Sequence, residues 1–202
     1  MTDGTTSAEP LPAAATGGQL DGFLDQLEAP APSPCGGTAA AATAAMAAAL
    51  VTMVARGSVG WADGAGVASQ ARALRSRLTA LGDDDAAAFE HVLVTMRDSS
   101  GSPEQRDFAL GTALLHAAEV PLRIAETAAD VAELAAAAAA AGSPQLRPDA
   151  TAAAALAEAA TRAAAHLVEI NLAIVPGDRL SERAALLVTA AAEARKRALG
   201  AA

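Results

Sequence analysis

The sequence predicts an all-α fold: a single-domain helical bundle with a buried alanine-rich central helix, assembled as a dimer. Three observations predict it. The 202 residues are 52% hydrophobic but only 2% aromatic, so the core must be alanine, leucine and valine on closely spaced helices. Runs of β-branched and aromatic residues with period two are absent, which excludes strands. Between Glu28 and Arg56 there is no charged residue. A helix over that run is apolar on every face and needs cover on all sides, which points to a central place and to a symmetry mate.

The formal charge of −9 argues against nucleic acid as a partner, since no basic stripe is present to neutralise phosphates. One cysteine excludes an internal disulfide, and no Cys/His metal spacing occurs, so no metal site is expected. The run after Glu28 is long enough to span a bilayer. It holds few of the large side chains that drive insertion, and no Arg/Lys cluster flanks it, so no membrane is expected. No basic segment followed by an apolar run opens the chain, which leaves a cytoplasmic location as the expectation.

In chain order, residues 1–18 are Thr, Ala, Pro and Gly without periodicity and read as a disordered tail, with the folded domain over 19–202. Residues 20–28 read as a short amphipathic helix with Phe23, Leu24 and Leu27 on its apolar side. Ser33 and Pro34 suit the cap and first position of the central helix. Gly36 and Gly37 follow in its first turn, where a missing Cβ lets backbone N–H groups approach a ligand or another helix. Residues 57–66 form a loop with Trp61.

A long helix over 67–96 carries Leu74, Leu78, Leu81, Phe89, Val92 and Met96 on one stripe. Asp85 fills the gap in that stripe, so a carboxylate stands in a buried row. The Gly82-Asp83-Asp84-Asp85 segment could break the helix, but the stripe keeps phase across it. Pro103 opens the next helix, which runs to 141. Its main stripe is Leu110, Leu114, Ala117, Pro121, Ile124, Ala128 and Val131, and a second row holds Phe108, Leu115, Glu119 and Leu122. Pro121 lies inside the helix, where its missing N–H frees the carbonyl of Ala117. Pro148 and Asp149 start a further helix with Leu156, Ala160, Ala163, Leu167, Ile170 and Ile174 as its stripe and Asn171 beside it. Residues 180–199 form a final amphipathic helix.

Polar residues that interrupt apolar faces are the candidates for chemistry. Asp85, Glu119, Asp149 and Asn171 do so, and a buried carboxylate is costly unless paired or hydrogen-bonded. They could share a polar cleft. Equally, Asp85 and Asp149 could cap helices and Glu119 could pair with Arg123. His91, His116 and His166 read as surface or half-buried histidines without ligand spacing.

The motifs in order resemble the cyclodeaminase/cyclohydrolase family of tetrahydrofolate enzymes. Phe23-Leu24-Asp25-Gln26-Leu27 and Pro32-Ser33-Pro34-Cys35-Gly36-Gly37-Thr38 match its short helix and glycine loop. Asp83-Asp84-Asp85-Ala86-Ala87-Ala88-Phe89, Glu119-Val120-Pro121-Leu122, Pro148-Asp149 and Ile170-Asn171-Leu172 match its later motifs. The resemblance implies an all-α homodimer acting on a small-molecule folate. The reaction is that of a methenyltetrahydrofolate cyclohydrolase or a formiminotetrahydrofolate cyclodeaminase, with no cofactor. It implies catalytic roles for Asp85, Asp149 and Glu119, and substrate-binding roles for Pro34, Cys35, Gly36, Gly37, Thr38 and Asn171. The chain differs from the family pattern at Cys35, at Gln145 and Pro148, at Leu167, and in lacking Lys and Tyr over 56–66. Those changes remove polar groups from the implied cleft. They leave open a second reading, a catalytically degenerate helical dimer that binds folate weakly or serves another partner.

Overall fold

The computed structural model describes residues 17–29, 35–172 and 179–200. The chain divides into two compact units, Met1–Ala31 and Pro32–Ala202. In the first, helix α1 spans Gly17–Glu28, with Leu20 and Leu24 exposed. Gly17 and Gly18, read from sequence as the end of a tail, already belong to this helix, and residues 1–16 lie outside the described residues.

The second unit holds α2 (Gly36–Gly57), α3 (Gly64–Arg97), α4 (Pro103–Ala141), a 3-10 turn (Pro144–Leu146), α5 (Arg147–Leu172) and α6 (Arg179–Gly200). No strand occurs among the described residues. α2 packs against α3, α4 and α5, and α4 also packs against α3, α5 and α6. Helices α2 and α4 have the length and composition of membrane spans. Here their alanine faces serve as the surfaces on which neighbouring helices approach closely.

Side-chain contacts fix the directions. The chain turns back after α2, so that the backbone of Gly64 approaches the Ala55 carbonyl, while Gly82 lies against Thr38 and Ala41. The far end of α4 meets the end of α2: Ser58 donates to the Val54 carbonyl at 2.7 Å and accepts from the Ser143 N–H at 2.7 Å. α5 then runs back, with Leu146 against Gly57 at one end and Leu167 against Gly36 at the other. Thus α3 and α5 are antiparallel to α2, and α4 is parallel to it.

Several expectations from sequence hold. α3 is one helix through Gly82–Asp85, and Asp85 is only 6% exposed. α4 opens at Pro103 and holds Pro121 inside it; the capping box of Ser102 and Gln105 at its start is a finding of the structure. Others need correction. The stripe expected for α5 is buried only at Ala160 among the described residues: Ala153, Ala157, Ala160, Ala164 and Val168 point inward, whereas Leu156 and Ala163 are exposed and Ile170 is 57% exposed. Ile174 lies outside the described residues. In the second row of α4, Leu122 is buried but Phe108, Leu115 and Glu119 are exposed. The reason is that alanine is apolar on every face, and the closest helix pairs are made by the smallest side chains, so a row of large residues does not by itself mark the inward face.

The central helix is covered on one side only within a single chain. Ala40, Ala44, Ala47, Ala48, Val51 and Val54 are buried. Met46 and Met53, 52% and 41% exposed, lie on the other side. The full cover expected from sequence is therefore not supplied by this chain's own helices.

Candidate active site at the start of the central helix

Ser33 and Pro34 lie outside the described residues, and α2 begins at Gly36 with Cys35 as its cap residue. Cys35 has extended backbone (φ −128°, ψ −169°), but its side chain does not cap the helix. Its thiol instead donates to Asp85 Oδ2 at 2.9 Å, across 50 residues of sequence. The Thr38 N–H also faces the Asp85 carboxyl. The first turn of a helix leaves its N–H groups without intrahelical partners, and these favour negative charge.

The closeness depends on Gly37. A Cβ built there would fall on the carboxyl group of Asp85, so no other residue fits without moving it. Gly36, by contrast, is exposed, and a Cβ there would meet only the Leu167 methyls at 3.8 and 3.9 Å. Thr38 fixes the two helices to each other, its hydroxyl donating to the Gly82 carbonyl at 3.0 Å.

Burial pushes the Asp85 carboxyl above its ordinary pKa, because the ion loses solvation; the Cys35 thiol and the Thr38 N–H act the other way without cancelling this. Burial also pushes the Cys35 thiol up to about 11, reinforced by the hydrogen bond to Asp85 and its charge, against the N–H groups of Gly37 and Thr38. The pair is a carboxyl poised to exchange a proton beside a thiol that keeps its own. The position of Cys35 at a helix start would by itself favour the thiolate. Burial, reinforced by the carboxylate beside it, reverses that.

Asn171 lies one turn beyond Leu167, at this end of the bundle. Its amide donates to the Ala117 carbonyl at 2.6 Å. That carbonyl is the one Pro121 leaves without an N–H, so the proline in α4 and the asparagine in α5 complete one interaction. Replacing Asn171 with leucine is expected to cost about 1–3 kcal/mol by stranding the carbonyl. In a Pro121→Ala background, which returns an N–H to the helix, the same change should cost much less. Calorimetry on the double-mutant cycle checks this; equal costs in both backgrounds would show that the contact contributes nothing.

The other two carboxylates lie elsewhere. Glu119 is exposed on α4, with its carboxylate 3.6 Å from His116, and Arg123 pairs with Asp84 at 3.6 Å rather than with Glu119. Asp149 is in the first turn of α5, near Leu146 and therefore near Gly57. Twenty helical residues at about 1.5 Å each separate Gly57 from Gly37, so Asp149 and Asp85 are about 30 Å apart in one chain. The sequence-expected residues thus divide into a cluster of Cys35, Gly36, Gly37, Thr38 and Asp85, with Asn171 behind it, and two outlying carboxylates. Glu119 does not pair with Arg123, whereas Asp85, inside α3, turns its carboxyl to the first-turn N–H of Thr38 on α2. Between α3 and α4, a separate groove of about 450 Å³ is lined by Asp84, Ala88, His91, His116, Val120 and Arg123, among others, and not by Asp85. Two of the three histidines meet in it, which their sequence spacing did not reveal. No cluster of three or more metal-ligating side chains occurs among the described residues.

Known proteins resemble this chain in sequence and in fold. The family model described as formiminotransferase-cyclodeaminase matches residues 19–185. A methenyltetrahydrofolate cyclohydrolase from Methylorubrum extorquens is 35% identical over 162 residues, which are 75% of this chain and 78% of that protein. The formimidoyltransferase-cyclodeaminase of Mus musculus is 37% identical over 118 residues, 54% of this chain but only 22% of the mouse protein. Among solved structures, a formiminotetrahydrofolate cyclodeaminase from Thermotoga maritima superimposes with a TM-score of 0.79 at 25% identity, covering 90% of this chain and 94% of that one. Sequence and fold together identify the chain as a member of the formiminotransferase-cyclodeaminase family.

Proposed function

We propose that the protein is an enzyme of folate one-carbon metabolism that acts at the bridge between the two folate nitrogens. It either hydrolyses methenyltetrahydrofolate or closes formiminotetrahydrofolate with loss of ammonia, without a metal or redox cofactor. The observation that carries this reading is Asp85, a buried carboxyl with a raised pKa at the N-terminus of α2. The methenyl substrate is an amidinium cation. As water adds to the bridging carbon, Asp85 accepts its proton and its charge offsets that of the cation. The proton then goes to a ring nitrogen as one carbon–nitrogen bond breaks, leaving the formyl product. In the deamination, the second folate nitrogen adds to the formimino carbon and Asp85 gives a proton to the departing ammonia. A carboxyl with a raised pKa suits either direction. Arg123, which lines the groove between α3 and α4, suits a folate carboxylate in exchange for Asp84.

The test is to mix the purified protein with methenyltetrahydrofolate and follow loss of the methenyl chromophore, then to follow its appearance from formiminotetrahydrofolate. Change in either direction supports the reading. No change in either favours the second one, a family member without turnover, toward which the apolar Leu167 wall over Gly36 points.

The same reading includes a homodimer built on the open side of α2. Ala42, Met46, Ala49 and Met53 recur there at steps of four, three and four, the spacing of a helix-pairing stripe. An antiparallel crossing of two such helices would bring Asp149 of the partner subunit toward Asp85, restoring the pair of carboxylates that one chain separates. Replacing both Met46 and Met53 with glutamate is expected to give monomers by sedimentation at micromolar concentration and to abolish turnover. A fully active monomer would overturn this assembly. A folate substrate and a lone cysteine fit a cytoplasmic location.

A further inference from the structure

We infer that Cys35 is a positioning residue for Asp85, its thiol fixing the rotation of the carboxyl group and the balance between its two protonation states. The inference rests on the folate reading, in which Asp85 exchanges the proton. The terminal torsion of an aspartate is broad, so hydrogen bonds rather than torsional preference decide where its oxygens point. At this site Cys35 is the side-chain donor that reaches Asp85, at 2.9 Å to Oδ2. A thiol is a weak donor, but an ionised acceptor strengthens the bond. The carboxyl is confined on a second side by the bare Cα of Gly37, and it also faces the Thr38 N–H. With Oδ2 engaged by sulfur, the direction in which the carboxyl meets a substrate water is set by the protein and not by solvent.

The surroundings give this contact unusual weight. From α2, Cys35 is the titratable group against Asp85. On α3 itself, Asp83 and Asp84 are exposed, and Asp84 is paired with Arg123 of α4. At this end α5 presents Leu167 and Asn171, and the Asn171 amide is already bound to the Ala117 carbonyl. No described Lys, Arg or His is bonded to Asp85, so the thiol is the main side-chain support for its charged form. A thiol held near 11 stays protonated through the neutral range and keeps donating. Removing it leaves desolvation less opposed, and the carboxyl should hold its proton to higher pH.

The experiment titrates the Asp85 carboxyl by carbon-13 NMR in the wild type, Cys35→Ala and Cys35→Ser, with folding checked by circular dichroism. Cys35→Ala should raise the Asp85 midpoint by about half a pH unit or more. Cys35→Ser, which keeps a donor, should return it toward the wild-type value. The acidic limb of kcat/KM for the methenyl substrate should move with the midpoint in the same order. An unmoved midpoint in Cys35→Ala overturns the inference, and so does a serine variant that behaves like the alanine one. A midpoint that moves while the acidic limb stays in place overturns the positioning role. If the wild type turns over neither folate, the folate reading fails, and the carboxyl titration still decides the contact by itself.

Discussion

Asp85→Asn is expected to give a folded protein whose turnover falls by about 10²-fold or more, the usual scale for loss of a general base or acid. The amide fills the same space over Gly37 and can still accept from Cys35, so packing is kept while the exchangeable proton is lost. Stability should move the other way. The Asp85 pKa in the folded state lies above the unfolded value, so the folded protein binds this proton more tightly. The stability linked to it is present below the unfolded pKa and is lost as pH rises through the folded pKa. Above the unfolded pKa, keeping this carboxyl buried is therefore a burden that asparagine removes. The melting temperature of Asp85→Asn relative to wild type should be higher at pH 7 than at pH 4. Asp85→Leu removes the charge as well and is also expected to lack turnover, which separates the loss of chemistry from any loss of fold. Full turnover in a well-folded Asp85→Asn protein would sink the assignment.

The two glycines that open α2 should respond oppositely to alanine. At Gly37 the new Cβ would fall on the Asp85 carboxyl group. The carboxyl must swing away from Cys35 and Thr38, or α2 and α3 must separate. Overpacking of this kind costs about 1–3 kcal/mol, partly offset by the better helix propensity of alanine, about 1 kcal/mol. The larger effect is on activity, which should fall about as far as in Asp85→Asn because the base has left its place. Gly36→Ala meets only the edge of Leu167 at van der Waals distance and should keep both fold and turnover. Thermal melting and the chromophore assay on both variants check the pair. A Gly37→Ala protein with wild-type turnover would show that the close approach of Asp85 to the helix start has no functional use.

Composition and periodicity determined a good deal of this protein. Few aromatics and abundant alanine, with no period-two runs, are enough to require helices. Proline, glycine and polar turns place the ends of α3 and α4 to within a few residues, because they act through local backbone geometry. Asp85 was legible because it interrupts a row of large apolar residues, and a row in phase needs no knowledge of what lies opposite. The glycine loop was legible as a place of close approach. The orphan carbonyl at Ala117 followed directly from Pro121.

Other features depended on what each helix faces, and local pattern does not carry that. The inward side of α5 is made of alanines and Val168 while Ile170 stays outside, since nothing in an alanine-rich run tells one face from another. Asn171 was readable as a polar residue beside a stripe, but its partner is 54 positions away on a different helix. Asp149 and Asp85 look like two parts of one site along the chain. The antiparallel run of α5 against α2 sets them at opposite ends of a helix about 33 Å long, 22 residues at about 1.5 Å each. The meeting of Cys35 with Asp85 is likewise tertiary: a residue at a helix start and one 50 positions later share a proton environment only because Gly37 leaves room between them. Helix formation is governed by neighbours a few residues apart, which a sequence displays. The site is governed by which helix ends are brought together, and packing of the whole bundle decides that.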